Sequence, residues 1–235
     1  MSVTCKKSLA HALLAALAFT ASGAPVQAAD APKPAIERGG DWRAAVQKFM
    51  KANMKHPAWG YSHSERDYAL ATELAAVDGV TLDDDVLFAA AWLHDVAAFA
   101  PFRTSDDHQD VAADLVPSLL EGTGFPMRKI EAVRGAIRTH MYARDPKGPE
   151  AIYLHDADAL DWLGAIGVAR IFGLVDPAGG SPDGPGAVKR LEDGLGAVPP
   201  RIVSSAGKAR IEARVRELEE FLGALRAETG DLKRL

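Results

Sequence analysis

The chain has 235 residues, and its 27 Lys and Arg against 32 Asp and Glu give a formal net charge of −5. A negative surface repels phosphate backbones and anionic headgroups, so nucleic-acid polymers and acidic membranes are poor candidates for partners. The single cysteine, Cys5, disfavours a structural zinc site built on thiolates. The length suffices for one domain with a sizeable hydrophobic core.

Residues 1–28 have the pattern of a secretory signal peptide. Lys6 and Lys7 precede an unbroken apolar run over residues 12–19, and the sequence Val-Gln-Ala at 26–28 suits cleavage after Ala28. The run is shorter than the ~20 apolar residues of a transmembrane helix. We therefore expect an exported protein, periplasmic or secreted, without a membrane anchor. An uncleaved amphipathic N-terminal helix is the alternative.

Cleavage after Ala28 divides the rest of the chain into two parts. Residues 29–39 are rich in Ala and Pro and are predicted to be a flexible leader, and residues 40–235 are predicted to be one domain. The mature chain would contain no cysteine. Its net charge would be −7, because the removed segment contains two lysines and no acid.

The predicted domain has the periodicity of helices and little of the alternation of strands, so the predicted fold class is all-α. Residues 86–93 (VLFAAAWL) are apolar on every side, which is typical of a central, buried helix. Residues 176–186 (DPAGGSPDGPG) are predicted to be non-helical, either a surface connection or a mobile flap. The helices are predicted over residues 41–53, 62–77, from about 84 to 93, 108–120, from about 126, 149–172 and 208–229.

Histidines and aspartates fall on faces of these helices that are predicted to be buried. In the second helix, for example, His63 shares a face with Leu70, Leu74 and Val77. A buried polar group costs several kcal/mol unless it finds a partner. One such residue alone is explained by a hydrogen-bonded core histidine. The whole set comes from five helices: His63, His94, Asp95, His108, His140, Asp156 and Asp158.

A divalent cation is the simplest common partner for these side chains. Neutral imidazoles and carboxylates together suit Mn, Ni, Fe or Zn, with Mg as a further candidate, and one or two ions are compatible with the number of residues. The adjacent His94 and Asp95 point about 100° apart on a helix. They can reach one metal beyond the helix end, or Asp95 can bridge two metals.

The arrangement resembles the HD superfamily of metal-dependent phosphohydrolases, whose motif is a His, a later His-Asp pair and a distant Asp. Here the matching residues are His63 in YSHSERDYALATELA, His94 and Asp95 in AAAWLHDVAAF, and Asp158 in LHDADALDWLGAIGVARIF. The resemblance covers roughly residues 55–228. It implies an HD-domain helical bundle with a metal held by these four residues.

The resemblance also implies roles for residues around the metal. Arg66 matches the family's His-x-x-Arg pattern and is expected to contact a substrate anion or to pair with an acid. The family usually has Arg or Lys directly after the last metal-binding Asp, and this chain has Ala159, which puts phosphate specificity in doubt. His108 and His140 are candidates for a second metal. Asp156 and Asp161 are candidates for hydrogen bonds to ligand histidines.

The function that the resemblance implies is hydrolysis of a phosphoester or phosphoanhydride bond in a small phosphorylated molecule. The metal would activate a water and polarise the phosphoryl oxygen, Asp95 would orient the water, and Arg66 would neutralise charge in the transition state. Two alternatives stay open. One is a di-iron oxygenase on the same scaffold, which needs His108 and His140 as ligands. The other is a non-catalytic module that binds a metal or ligand.

Overall fold

The computed structural model describes residues 33–235, in which every regular element is helical. The predicted signal peptide and the first residues of the predicted leader lie outside the described residues. No helix of the described region is long and apolar enough to cross a membrane. The nine α-helices of this region are α1 (Trp42–Asn53), α2 (Tyr61–Asp78), α3 (Asp84–Leu93), α4 (His108–Leu120), α5 (Ile130–Thr139), α6 (Pro149–Leu160), α7 (Gly164–Phe172), α8 (Gly184–Ala197) and α9 (Ser205–Thr229).

Helix α3 is the centre of the fold. It starts where the Asp83 side chain accepts hydrogen bonds from the backbone N–H groups of Asp85 and Val86, which would otherwise lack partners at a helix N-terminus. Every residue from Val86 to Leu93 is buried, as the apolar run predicts. Helices α1, α2, α5 and α6 pack around α3. The residue that follows the buried run, His94, therefore lies inside the bundle.

The folded region begins before α1, within the segment predicted as a leader. Ile36 is buried in the core at 4% exposure. The backbone N–H of Gly39 donates a hydrogen bond to the carbonyl of Gly122, 3.1 Å away, at the end of α4. The last residues of that segment therefore pack against the bundle.

The prediction of one helix over 149–172 is wrong, because this segment forms two helices, α6 and α7. The chain breaks between α6 and α7, where Leu163 is extended and Gly164 has a φ of 65°, a conformation that favours glycine. In a continuous helix Asp158 and Arg170 would lie about 18 Å apart along the axis. The break brings Arg170 Nη1 to 3.4 Å from Asp158 Oδ1.

The backbone of α7 at residue 167 lies so close to the backbone just before the helix that only glycine fits there. A Cβ at Gly167 would lie 2.3 Å from the carbonyl oxygen of Trp162. We expect Gly167→Ala to lower the free energy of unfolding by about 1–3 kcal/mol, the usual cost of overpacking. Gly135→Ala in α5 is the matched control, since a Cβ there meets no atom within 4 Å. Urea denaturation should show the control neutral or up to about 1 kcal/mol more stable. Equal effects at both positions would contradict the close approach.

Two further differences concern the ends of helices. The segment 176–186 is not wholly a loop, because α8 begins at Gly184 after the Asp183 side chain caps the N–H of Gly186. The glycines and proline of α8 have low helix propensity, so the sequence does not predict this helix. The burial of Ala187, Val188 and Leu191 stabilises it. Val77, predicted to lie on the buried stripe of α2, is 68% exposed and lies in the last turn of that helix.

Candidate metal centre

Three buried histidines meet at one end of the bundle. His63 lies near the start of α2, and His94 and His140 follow the last residues of α3 and α5. Their Nδ1 atoms face acceptors, and a carbonyl oxygen can only accept, so Nδ1 carries the proton in His94 and His140. The Nδ1 partners are Asp161 Oδ2 for His63 at 3.0 Å, the Ala91 carbonyl for His94 at 2.8 Å, and the Ile137 carbonyl for His140 at 2.7 Å. The Nε2 lone pairs of His94 and His140 are then free to bind a cation, and that of His63 accepts from Arg170 Nη2 at 3.0 Å.

The Nε2 atoms of His63 and His94 lie 3.2 Å apart. With the protons on Nδ1, two lone pairs face each other across this gap, which is unfavourable unless a positive charge lies close by. Three carboxylates surround the same gap. The distances are 3.1 Å from His63 Nε2 to Asp67 Oδ2, 3.2 Å from His63 Nε2 to Asp158 Oδ1, and 3.3 Å from His94 Nε2 to Asp95 Oδ2.

The polar atoms around the gap fit a metal ion because many of them are buried without a hydrogen-bond partner. Such atoms are rare in native proteins, and a bound ion is a common partner for them. Ligand atoms from His63, Asp67, His94 and Asp158 all lie within 4.8 Å of one another, and so do those of His94, Asp95 and His140. The atoms without a partner are both oxygens of Asp67, Asp95 Oδ1, His108 Nε2 and His140 Nε2.

Asp95 faces imidazoles on both sides. Its Oδ2 lies 3.5 Å from His63 Nε2 as well as 3.3 Å from His94 Nε2. Its Oδ1 lies 3.1 Å from His108 Nε2, at the first residue of α4, and 3.6 Å from His140 Nε2. The contact with His108 lacks the geometry of a hydrogen bond. One carboxylate therefore separates two groups of nitrogen donors.

The shifted pKa values at the centre favour the ligand forms of His140 and Asp95. Burial lowers the pKa of His140 to about 3, so its imidazole is neutral at pH 7. Burial raises the pKa of Asp95, but His94 and His108 outweigh it and hold the pKa well below its usual range. The pKa of Asp67 is raised well above its usual range, by burial and by the negative charges of Asp161 and Asp158.

Two arginines border the centre. Arg170 is 1% exposed, and its guanidinium donates to the Ala58 carbonyl at 2.8 Å and lies 3.0 Å from His63 Nε2. It also stacks on Trp162, 4.3 Å from the ring centroid. Arg66 has a side chain that is 34% exposed and donates to Asp161 Oδ2 at 2.8 Å. Two roles were predicted for Arg66 from the sequence: contact with a substrate anion, or an ion pair with an acid. Arg66 forms the ion pair.

The structure brings together the residues predicted as ligands: His63, His94, Asp95 and Asp158. His108 and His140 lie on the other side of Asp95, and Asp161 accepts from His63, one of the predicted ligands. The prediction for Asp156 is wrong. Its carboxylate accepts from the backbone N–H groups of Val203 and Ser204, at the start of α9, and from His155 Nδ1. The Asp156 side chain therefore points inward because it accepts hydrogen bonds from the backbone at the start of α9.

Asp156 is accordingly expected to matter for stability and not for metal binding. Asp156→Ala leaves the N–H groups of Val203 and Ser204 without their acceptor, which should cost roughly 2–4 kcal/mol. Asp183→Ala, at the exposed start of α8, is the control and should cost about 1 kcal/mol. Thermal melting and a manganese titration measure the two effects. Weakened metal binding with unchanged stability in Asp156→Ala would restore the role predicted from the sequence.

Asp67 and Arg170 were not among the residues predicted for the site. Asp67 lies one helical turn after His63, and a search for polar residues at i+4 from a candidate ligand would have found it. Arg170 is a lone charge in an apolar helix, a pattern that usually reflects a side chain reaching solvent. Only the fold shows that Arg170 is buried beside Asp158.

The family comparison matches the HD domain to residues 60–163. Residues 60–163 form an HD domain. The match contains His63, His94, Asp95 and Asp158, in the order that the motif requires. Arg170 and α9 lie beyond it. No curated protein matches the chain significantly by sequence.

Solved structures share the fold over most of the chain. A protein from Lactobacillus plantarum is 24% identical with a TM-score of 0.61, and the match covers 83% of this chain and 100% of that one. YpgQ from Bacillus subtilis, solved in complex with ADP, is 19% identical with a TM-score of 0.63 over 79% and 97% of the two chains. A predicted HD superfamily hydrolase from an uncultured Thermotogales bacterium is 25% identical, with a TM-score of 0.56 over 79% and 90%. The HD-domain fold thus extends beyond residues 60–163.

Proposed function

We propose that the protein is a metal-dependent hydrolase of phosphoester or phosphoanhydride bonds in small molecules. The observation that carries the proposal is the convergence of buried imidazole and carboxylate atoms from the segments α2 to α6, several of them without a hydrogen-bond partner. HD domains bind divalent metals, and structural neighbours of this chain are described as HD-superfamily hydrolases. The first metal would be held by His63, His94, Asp95 and Asp158.

Different side chains of the centre would have different roles in such a reaction. A bound divalent cation would supply a water of lowered pKa and would polarise the phosphoryl oxygen. Asp161 fixes the ring of His63 through Nδ1, and the Ala91 carbonyl does the same for His94. Asp95 would accept a hydrogen bond from the attacking water. Arg66 is the partly exposed cation nearby and is the side chain that would meet an anionic substrate.

The proposed substrate class is a small phosphorylated molecule. The structural neighbour YpgQ was solved in complex with ADP, which supports a phosphate-bearing ligand for this chain as well. The net charge of −5 argues against nucleic-acid polymers. Two ions are compatible with the centre, because Asp95 has separate nitrogen donors at each oxygen. The second ion would be held by His108, His140 and Asp95.

A substrate panel with several metals tests the proposal. We expect purified protein to hydrolyse a nitrophenyl phosphate, a bis-nitrophenyl phosphate or a nucleoside phosphate when Mn, Ni, Fe, Zn or Mg is added. Asp95→Asn should be inactive. The matched control is His155→Asn, which alters a buried histidine outside the centre and keeps a donor near Asp156. Protein that binds no metal and hydrolyses nothing would indicate a non-catalytic module, and two irons with oxygen consumption would indicate an oxygenase.

A further inference from the structure

Asp67 is a buried carboxylate that the proposed ligand set does not use. It lies on α2, one turn after His63, and is 0% exposed. Neither of its oxygens has a hydrogen-bond partner. A buried carboxylate in a structural role is normally bonded to N–H groups, as Asp156 is. Asp67 therefore needs another partner.

The groups that face Asp67 are those of the metal centre. Its Oδ2 lies 3.1 Å from His63 Nε2 and 3.7 Å from His94 Nε2. The protons of these imidazoles are on Nδ1, where Asp161 and the Ala91 carbonyl accept them. Nε2 then has no proton to donate, so the Asp67 carboxylate and both rings direct lone pairs at the same point, and Arg170 donates there only to His63 Nε2. A cation at this point satisfies all three groups.

The charges of the region lead to the same conclusion. Four carboxylates lie together, and two guanidinium groups accompany them. These six side chains are Asp67, Asp95, Asp158, Asp161, Arg66 and Arg170. With a cation present to keep all four carboxylates ionised, and with neutral imidazoles, the six side chains sum to −2, an expensive charge to bury uncompensated. One divalent cation brings it to zero, and without Asp67 the same cation would leave an excess positive charge.

We propose that Asp67 is an additional ligand of the cation held by His63, His94 and Asp158, an inference that rests on the proposed metal-dependent function. Ligand atoms from these four residues lie within 4.8 Å of one another. With Asp67 beside Asp95 and Asp158, the centre offers three carboxylates and two imidazoles to this cation. Carboxylate oxygens favour Mn²⁺ and Mg²⁺ over the softer ions. The centre should therefore prefer Mn²⁺ to Zn²⁺ more strongly with Asp67 than without it.

The variant Asp67→Asn tests this ligand, because it removes the charge and keeps the shape. We expect the Kd for Mn²⁺, measured by titration with electron paramagnetic resonance of free Mn²⁺, to rise by more than about tenfold, the cost of losing even an outer partner of a ligand. In EDTA the variant should melt at the wild-type temperature or higher, because the carboxyl group it removes is buried there without a hydrogen-bond partner. The increase in melting temperature on adding Mn²⁺ should shrink.

Two controls separate the outcomes. Asp156→Asn replaces another buried carboxylate and should lower the melting temperature in EDTA while leaving the Kd for Mn²⁺ unchanged. His94→Ala should lose Mn²⁺. If Asp67→Asn binds Mn²⁺ like wild type and His94→Ala does not, Asp67 is not a ligand and the metal centre stands. If both bind like wild type, the proposed function fails too. An Asp67→Asn chain that cannot fold in EDTA would show a structural role and overturn the inference.

Discussion

His94→Ala is expected to lose bound metal and hydrolytic activity together. His94 is 0% exposed, its Nδ1 is held by the Ala91 carbonyl, and its Nε2 faces His63 and Asp95. Alanine removes one nitrogen donor and leaves a cavity in its place. We expect metal affinity to fall by more than about 100-fold, beyond the range seen for outer partners of ligands, and activity to fall to background.

The control for this loss is His155→Asn, which changes a buried histidine that bonds Asp156 and lies outside the centre. It should keep full metal content by elemental analysis and full activity on the substrate found for wild type. Far-ultraviolet circular dichroism checks that both variants remain helical. Full metal content in His94→Ala would remove this residue from the ligand set.

Arg170→Met is expected to destabilise the metal-free protein strongly. The guanidinium lies 3.4 Å from Asp158 Oδ1 and 3.7 Å from Asp161 Oδ2, and all three side chains are almost fully buried. Removing one partner of a buried ion pair leaves an uncompensated charge, which costs about 3–5 kcal/mol. Added metal should restore part of the loss, because a cation then neutralises the same carboxylates.

Urea denaturation in EDTA and in Mn²⁺ measures both parts of this prediction. Arg226→Met is the control, since Arg226 also pairs with two acids, Glu192 and Asp231, but its side chain is 38% exposed. The control should change stability by less than about 1 kcal/mol under either condition. A small loss in Arg170→Met, equal with and without metal, would mean that Arg170 does not balance the carboxylates.

The position of Arg170 also changes the meaning of Ala159. The resemblance to HD phosphohydrolases suggested that the centre lacks a cation after the last Asp. Ala159 is 0% exposed and packs in the core. Arg170, from the next helix, places its guanidinium beside Asp158 instead. Positive charge is therefore present at the centre, although it comes from another position in the chain.

Sequence patterns predicted most of the helices that build the centre, but not their ends. The apolar run over residues 86–93 located α3, because that signal is local. The break before α7 was missed because the apolar spacing continues through it and a single glycine, Gly164, provides the turn. Helix α8 was missed because it depends on burying Leu191 and its neighbours, and its own sequence is rich in glycine.

The sequence predicted those site residues that lie on the buried faces of predicted helices. His63 and Asp158 interrupt apolar stripes, and the structure places them 3.2 Å apart. Asp156 interrupts the same apolar run as Asp158, yet its carboxylate contacts the start of α9, a segment 47 residues later. Periodicity shows that a side chain points inward. It does not show which distant backbone or helix that side chain meets.

A manganese-loaded crystal studied by anomalous X-ray scattering tests the central claim most directly. We expect an anomalous peak about 2.0–2.3 Å from ligand atoms of His63, His94, Asp95 and Asp158, the usual range for metal–nitrogen and metal–oxygen bonds. A second peak between Asp95, His108 and His140 would add the second ion. A peak only at surface acids, or none at millimolar Mn²⁺, would contradict the metal centre and the hydrolase that depends on it.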